Sequence, residues 1–243
     1  MNFTTWYNVR VKTFPDGKRQ YMWSEKVRAK GYEIAEDLVH TGESVERKER
    51  ENLSRAKSKV YDLARSNKFD WFITLELSPE CVSDRLDYEQ CAEVVYCFTH
   101  RLAMWGNKWI IVPEKHPTTG AWHFHGLVQG DLKLTRAYSA KTGKPLFDKH
   151  GREIFNLDDY EFGFTTAIPL DGSPKVASYI TKYYTKEMVI PKGKKRYWAS
   201  RSLVKPLEEL VCMSTQEFGE IFNNARYQKS IESPYGSFLL CED

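Results

Sequence analysis

Apolar positions along the chain recur with a period of two in several short stretches and with a helical period in two long ones. Trp6–Thr13 and Gln20–Val27 read as an extended pair around the turn signal Pro15-Asp16-Gly17. Glu43–Ser66 is a run of Glu, Lys, Arg, Ala and Leu without Gly or Pro, which favours a charged helix. Trp71–Leu77 alternates cleanly, with Trp71, Ile73, Leu75 and Leu77 on one side and Phe72, Thr74 and Glu76 on the other. Cys91, Val94, Val95, Phe98 and Leu102 form the apolar stripe of a helix predicted from Leu86 to Met104. Lys108–Val112 and Trp122–Gln129 then predict a hairpin across the polar loop Lys115–Ala121.

The next stretch, Gly130–Glu161, is polar and rich in turn signals, with Pro145–Phe147 and Glu153–Phe155 able to pair as an inserted hairpin. A strand over Phe162–Ile168 follows, and Asp171-Gly172-Ser173-Pro174 opens a helix expected to run to Met188. Beyond Lys192 a basic stretch leads to short helices near Pro206–Val211 and Thr215–Asn224. This order predicts an α+β fold, with a central antiparallel sheet of about five strands flanked by helices. It also predicts three consecutive parts: an N-terminal hairpin and helix over 1–67, a main domain over 68–204, and a helical tail over 205–243.

Hydrophobic residues make up 41% of the chain and charged residues 28%, the balance of a folded globular protein rather than a disordered one. No stretch approaches the about 20 apolar residues of a membrane span, and Met1–Arg10 lacks the cationic-then-apolar order of a secretory signal. The five cysteines are odd in number and none form C-x-x-C, which argues for reduced thiols and a cytoplasmic protein. A net charge of only +3 says little about nucleic acid, so the distribution of charge carries the argument.

The sharpest chemical feature is Trp122-His123-Phe124-His125-Gly126. Residues two apart on a strand share a face, so His123 and His125 project together while Phe124 and Val128 enter the opposite layer. The pair reads either as two metal ligands or as chance histidines on a half-exposed face. Glu114, ending the partner strand, is the first candidate for a third ligand; Glu76 and His116 are others. Imidazoles with a carboxylate suit a divalent cation, Mg²⁺ or Mn²⁺, with the nitrogen donors tilting toward Mn²⁺.

A second constellation is Tyr179-Ile180-Thr181-Lys182-Tyr183-Tyr184-Thr185-Lys186. On a helix Tyr179 and Tyr183 stack one turn apart, with Lys182 and Lys186 close to the same face. The spacing equally suits an amphipathic helix with snorkelling lysines. A phenol of pKa about 10 is a poor nucleophile unless a cation stabilises its phenolate, and a metal with a lysine would do so.

The strand WFITLELSP, the His123-Phe124-His125 strand and the tyrosine–lysine helix occur in the order of the three motifs of HUH endonucleases, and the chain resembles that superfamily. Glu114-Lys115-His116, Gly120, Leu127 and Gln129 are similar to the second motif of geminivirus-type initiators. Tyr179-x-x-Lys182-Tyr183-x-x-Lys186 is similar to the two-tyrosine class of single-stranded-DNA phage and plasmid initiators. The resemblance spans roughly Lys68 to Arg201. It implies an RRM/ferredoxin-like sheet with a divalent metal on His123, His125 and Glu114, and Glu76 as a possible ligand or neighbour. Tyr179 or Tyr183 would attack origin DNA, leaving a 5′-phosphotyrosine and a free 3′-hydroxyl to start rolling-circle replication, with Lys182 and Lys186 assisting.

Pro191–Arg201 holds Lys192, Lys194, Lys195, Arg196 and Arg201 with no acid, interrupted by Tyr197 and Trp198. Cations with stacking rings suit single-stranded DNA, whereas a merely solvated basic loop needs no rings. No phosphate-binding loop of the G-x-x-x-x-G-K-[ST] type occurs, so a host helicase and polymerase are the expected partners, in a bacterial cytoplasm. The initiator is expected to be a monomer or weak oligomer. A relaxase or transposase of the same superfamily, or a non-catalytic single-strand-binding module, are the competing functions.

Overall fold

The computed structural model describes residues 5–30, 42–184, 190–233 and 236–243. In chain order its elements are strands β1 (Thr5–Thr13) and β2 (Arg19–Lys30), helix α1 (Gly42–Ser66), strand β3 (Trp71–Glu76) and helix α2 (Tyr88–Met104). Strands β4 (Lys108–Lys115), β5 (Trp122–Gln129), β6 (Leu134–Arg136), β7 (Phe155–Leu157) and β8 (Thr165–Pro169) follow, then helix α3 (Lys175–Thr181). The chain continues through β9 (Trp198–Ala199), β10 (Leu207–Val211), helix α4 (Thr215–Asn224), β11 (Tyr227–Ser233) and β12 (Gly236–Glu242). The fold is α+β, with two antiparallel sheets and four helices among the described residues.

The sheets belong to two compact units, Met1–Val45 with Lys205–Asp243, and Glu46–Val204. This departs from the expected single sheet of about five strands and from three consecutive parts. The reason is long-range pairing: β1 bonds to β10, and β2 bonds to β12, so the two ends of the chain build one five-stranded sheet in the order β10-β1-β2-β12-β11. The tail expected to be helical is therefore mostly strand. Only α4 is helical there, held by a capping box in which the Ser214 hydroxyl and the Glu217 carboxylate each take the other's backbone N–H. Its Phe218 ring stacks on Trp23 at 5.8 Å, over a core of Val9, Val11, Tyr21 and Cys241. The expected turn at Pro15-Asp16-Gly17 is present, with Gly17 in the left-handed region at φ 82°.

The other unit holds a seven-stranded sheet in the order β6-β7-β8-β3-β5-β4-β9. Its longer strands match the alternation of the sequence, and the short strands β6, β7 and β9 at its edges bring the count from four to seven. Helix α2 begins where the Asp87 carboxylate accepts the N–H groups of Glu89 and Gln90. It buries Tyr88, Cys91, Val95, Phe98 and Leu102, and the Tyr88 ring meets Trp122 edge-on at 4.8 Å on one face of the sheet. Residues of α3 pack on the other face, where Tyr179 meets Phe72 edge-on at 4.9 Å. Ala56, Val60, Leu63 and Ala64 of α1 enter the same core.

Strand register arranges this second face. Thr74 pairs with His125 and Glu76 with His123 on one side of β5, and on the other side Val112 pairs with His125 and Glu114 with His123. Directly opposed residues share a face, so Glu76–His123–Glu114 and Thr74–His125–Val112 form two cross-strand rows. Next after His125 in the chain, Gly126 pairs with Ile73 and Ile111 on the opposite face. A methyl group there would lie 2.9 Å from Ile73 Cγ1, 3.0 Å from Ile111 Cδ1 and 3.2 Å from the Ile110 carbonyl. Gly126→Ala is therefore expected to destabilise this unit by about 1–3 kcal/mol through overpacking, read as a lower denaturant midpoint.

Candidate active site

The two histidines share one face, as alternation requires, and each is joined to a carboxylate. His125 is buried; its Nε2 lies 2.6 Å from Glu114 Oε2 and its Nδ1 lies 3.2 Å from the Thr74 hydroxyl. His123 Nδ1 lies 3.9 Å from Glu76 Oε1. Burial lowers the His123 pKa, and the neighbouring His116 and His125 lower it further against the opposing pull of Glu76, so its imidazole is neutral at pH 7. The His116 ring sits 5.1 Å from that of His123, but its Nδ1 accepts the N–H groups of Thr118 and Thr119. That leaves Nε2 as the protonated nitrogen of the neutral ring, which suits His116 to a turn rather than to a ligand set.

Whether these side chains fit a divalent ion can be tested on their own chemistry. Among the described residues no three His, Cys, Asp or Glu side chains converge on a single point. His125 Nε2 and Glu114 Oε2 instead contact each other. A cation on Nε2 would need the ring proton on Nδ1, facing Thr74, whose hydroxyl accepts as readily as it donates. Imidazoles with the Glu114 carboxylate, and Glu76 beside them, are donor types that suit Mn²⁺ or Mg²⁺.

The tyrosines meet this row directly. The Tyr183 ring stacks on His125 with centroids 3.7 Å apart and planes 18° from parallel, and it also lies over Phe72 at 5.9 Å. Its hydroxyl donates to that of Tyr179 at 3.2 Å. The Lys182 ammonium caps the Tyr179 ring at 3.6 Å and lies 5.0 Å from that of Tyr183. Burial, then the hydrogen bond to Tyr179, pushes the Tyr183 phenol far above the ordinary phenol range. Tyr179 is 36% exposed and can meet a substrate.

The helix carrying them is shorter than expected. α3 ends at Thr181, where the chain tightens into i→i−3 bonds from Lys182 to Tyr179 and from Tyr184 to Thr181, while the Thr181 hydroxyl bonds back to Ala177. Lys182 and Tyr183 therefore lie in a turn. Lys186 lies outside the described residues.

The basic tract differs most from its expectation. Trp198 is buried, in β9, where it pairs with Ile111, stacks on Tyr88 at 6.3 Å and meets Phe124 edge-on at 5.8 Å. Tyr197 packs half-buried against the same core. Arg196 pairs with Glu49 and Lys194 with Glu89 at 2.9 Å. The backbone is pinned as well, since the Tyr88 hydroxyl donates to the Lys195 carbonyl and the Tyr184 hydroxyl to that of Arg196. Lys192, Lys195 and Arg201 are the exposed cations that remain to face solvent. The sequence reading also passed over Thr74 and Phe72 as parts of the site; their signal was present, since both sit on the same alternating side as Glu76.

Trp198→Ala is expected to lower stability by about 3–5 kcal/mol in denaturant melts, as the loss of a core ring. Alanine at Lys192, Lys195 or Arg201 should shift stability by less than about 0.5 kcal/mol. The lowered His123 pKa also fixes the sign of a pH effect. The unfolded chain takes up the proton first, so stability is full above about pH 6.5 and falls as pH drops toward the folded-state value. Thermal melts from neutral to mildly acidic pH should decline more steeply for the wild type than for His123→Gln.

No family model matches the chain, and neither a curated protein nor a solved structure is similar enough to stand as a relative.

Proposed function

We propose that the unit Glu46–Val204 nicks and rejoins single-stranded DNA through a tyrosine, as HUH replication initiators do. One observation carries this reading: the imidazole of His125, its partner Glu114 and the two phenols share one sheet face, with rings 3.7 Å apart and hydroxyls 3.2 Å apart. The two strands of one hairpin and a segment much later in the chain contribute to that cluster. Both histidines lie on β5, an interior strand of an antiparallel sheet, which supports the reading.

Tyr179 is the better attacking group. It is the more exposed phenol, it accepts the hydrogen bond from Tyr183, and the Lys182 ammonium lies against its ring. Its oxygen forms the new bond to phosphorus as the bond to the 3′-oxygen breaks. The phenol loses a proton and the leaving oxygen gains one, so the exchange balances. A divalent ion held by His123, His125 and Glu114 would supply polarisation of the scissile phosphate. Tyr183, held neutral, donates to the attacking oxygen and is positioned to act in a later round. The covalent 5′-phosphotyrosine conserves the bond for rejoining, and the free 3′-hydroxyl primes a host polymerase behind a host helicase. Among the described residues no helix is long and apolar enough to cross a membrane.

The test uses a pool of end-labelled single-stranded oligonucleotides with Mn²⁺, followed by denaturing electrophoresis. The 3′-labelled fragment should migrate with the protein and the 5′-labelled fragment should be released. Tyr179→Phe should abolish the adduct, and Tyr183→Phe should slow it by about tenfold or more, the worth of one hydrogen bond to a charged oxygen. His123→Ala and His125→Ala should remove it while oligonucleotide binding persists. An adduct that forms in EDTA, or that survives the double tyrosine change, overturns the reading.

A further inference from the structure

Phe164 is the most exposed large hydrophobic side chain among the described residues, at 76%. Scattered exposed rings are ordinary on a protein surface, so exposure alone assigns nothing. Its register is what distinguishes it. The β3–β8 pairing runs from Trp71 with Pro169 to Leu75 with Thr165, and the next position sets Glu76 against Phe164, whose carbonyl accepts the Glu76 N–H at 2.8 Å. Ser78 N–H to the Phe162 carbonyl, also 2.8 Å, continues the same ladder.

Opposed residues share a face, so the row of Glu76, His123 and Glu114 begins with Phe164. The ring is thereby carried on the side of the sheet that bears the histidines. Its backbone is fixed rather than loose. Gly163 has φ 152°, and a Cβ there would sit 2.2 Å from the Glu76 carbonyl and 2.7 Å from the Ser78 nitrogen. Only a glycine lets this segment close onto the end of β3, which fixes where the next side chain emerges.

Resting on the function proposed above, we infer that Phe164 is the stacking platform for a base of the single-stranded DNA that enters the site. Its strand is two strand separations, about 10 Å, from that of His123. A single strand covers that distance within a few nucleotides. The stacked base therefore belongs to the few nucleotides flanking the scissile phosphate. The arrangement also gives a chain-specific source of base contact in place of Trp198, whose ring is committed to the core. A flat apolar ring at this point has no use in gripping phosphate. Base stacking is the contact that its chemistry supplies, and stacking tolerates any base.

The experiment measures binding of labelled oligothymidylate, and of an abasic chain of equal length and charge, by fluorescence anisotropy in EDTA. Phe164→Ala should weaken oligothymidylate binding about 5- to 100-fold. Phe164→Trp should keep wild-type affinity, and Phe164→Leu, apolar but not planar, should behave as the alanine variant. On the abasic chain all four proteins should bind alike. Equal losses on both chains, or no loss on oligothymidylate, overturn the stacking assignment. Covalent adduct formation is read separately. An adduct with unchanged Phe164→Ala affinity overturns stacking and leaves nicking standing. The stacking signature without any adduct does the reverse, and a wild type that binds neither chain overturns both.

Discussion

The antiparallel register of β5 between β3 and β4 is the constraint on which the candidate site depends. Side chains on a strand alternate with a period of two, so a slip of one residue would turn both histidines into the layer that packs against α2. Several contacts forbid that slip. Gly126 is hemmed in by Ile73, Ile111 and the Ile110 carbonyl, leaving no room for any other residue. Phe124 and Leu127, both fully buried, fill the layers on opposite faces of the sheet. A slip would drive the His123 and His125 imidazoles into the apolar layer and turn Trp122 and Phe124 out of it, which is costly in both directions. The register is thus set by packing, and the chemistry inherits it.

Burial then divides the labour between two side chains of the same type. Tyr183 lies flat on His125 and over Phe72, and that enclosure holds its phenol in the neutral form. Tyr179, one position further out, receives its hydrogen bond and the company of Lys182. His125 is similarly defined by its neighbours, with Thr74 on one nitrogen and Glu114 on the other. The threonine hydroxyl accommodates either tautomer, so the ring can present either nitrogen as donor or acceptor without losing its orientation. Two phenols, an imidazole pair and carboxylates arranged in this way are what the proposed transfer of a phosphodiester to tyrosine calls for.

The basic tract illustrates the limit of composition as a guide. Lysines and arginines interleaved with Tyr197 and Trp198 have the makeup of a single-strand-binding loop, yet Trp198 closes the edge of the sheet and Arg196 answers Glu49. A large aromatic side chain gains several times more from burial against Tyr88 and Phe124 than from waiting in solvent for a ligand. Phe164 is the opposite case. It falls in a stretch that reads from sequence as ordinary half-buried β, yet it lies one residue before β8 and is largely exposed.

Local sequence determined the elements with strong periodicity. The alternation of Trp71–Leu77, the paired faces of His123 and His125, the stripe of α2 and the spacing of the two tyrosines all depend on neighbours a few residues away, and all are present in the fold. The surplus of sheet was not legible, because β10 and β12 acquire their partners from the opposite end of the chain, and strand propensity is decided by the neighbour a strand meets. Which carboxylate would reach which imidazole was likewise open. Glu114 lies opposite His123 in register yet bonds diagonally to His125, a choice of rotamer and packing. The sequence by itself determined which residue types face one another along each strand. The tertiary structure decided which of them are buried, paired or free, because burial and pairing are properties of surfaces brought together from distant parts of the chain.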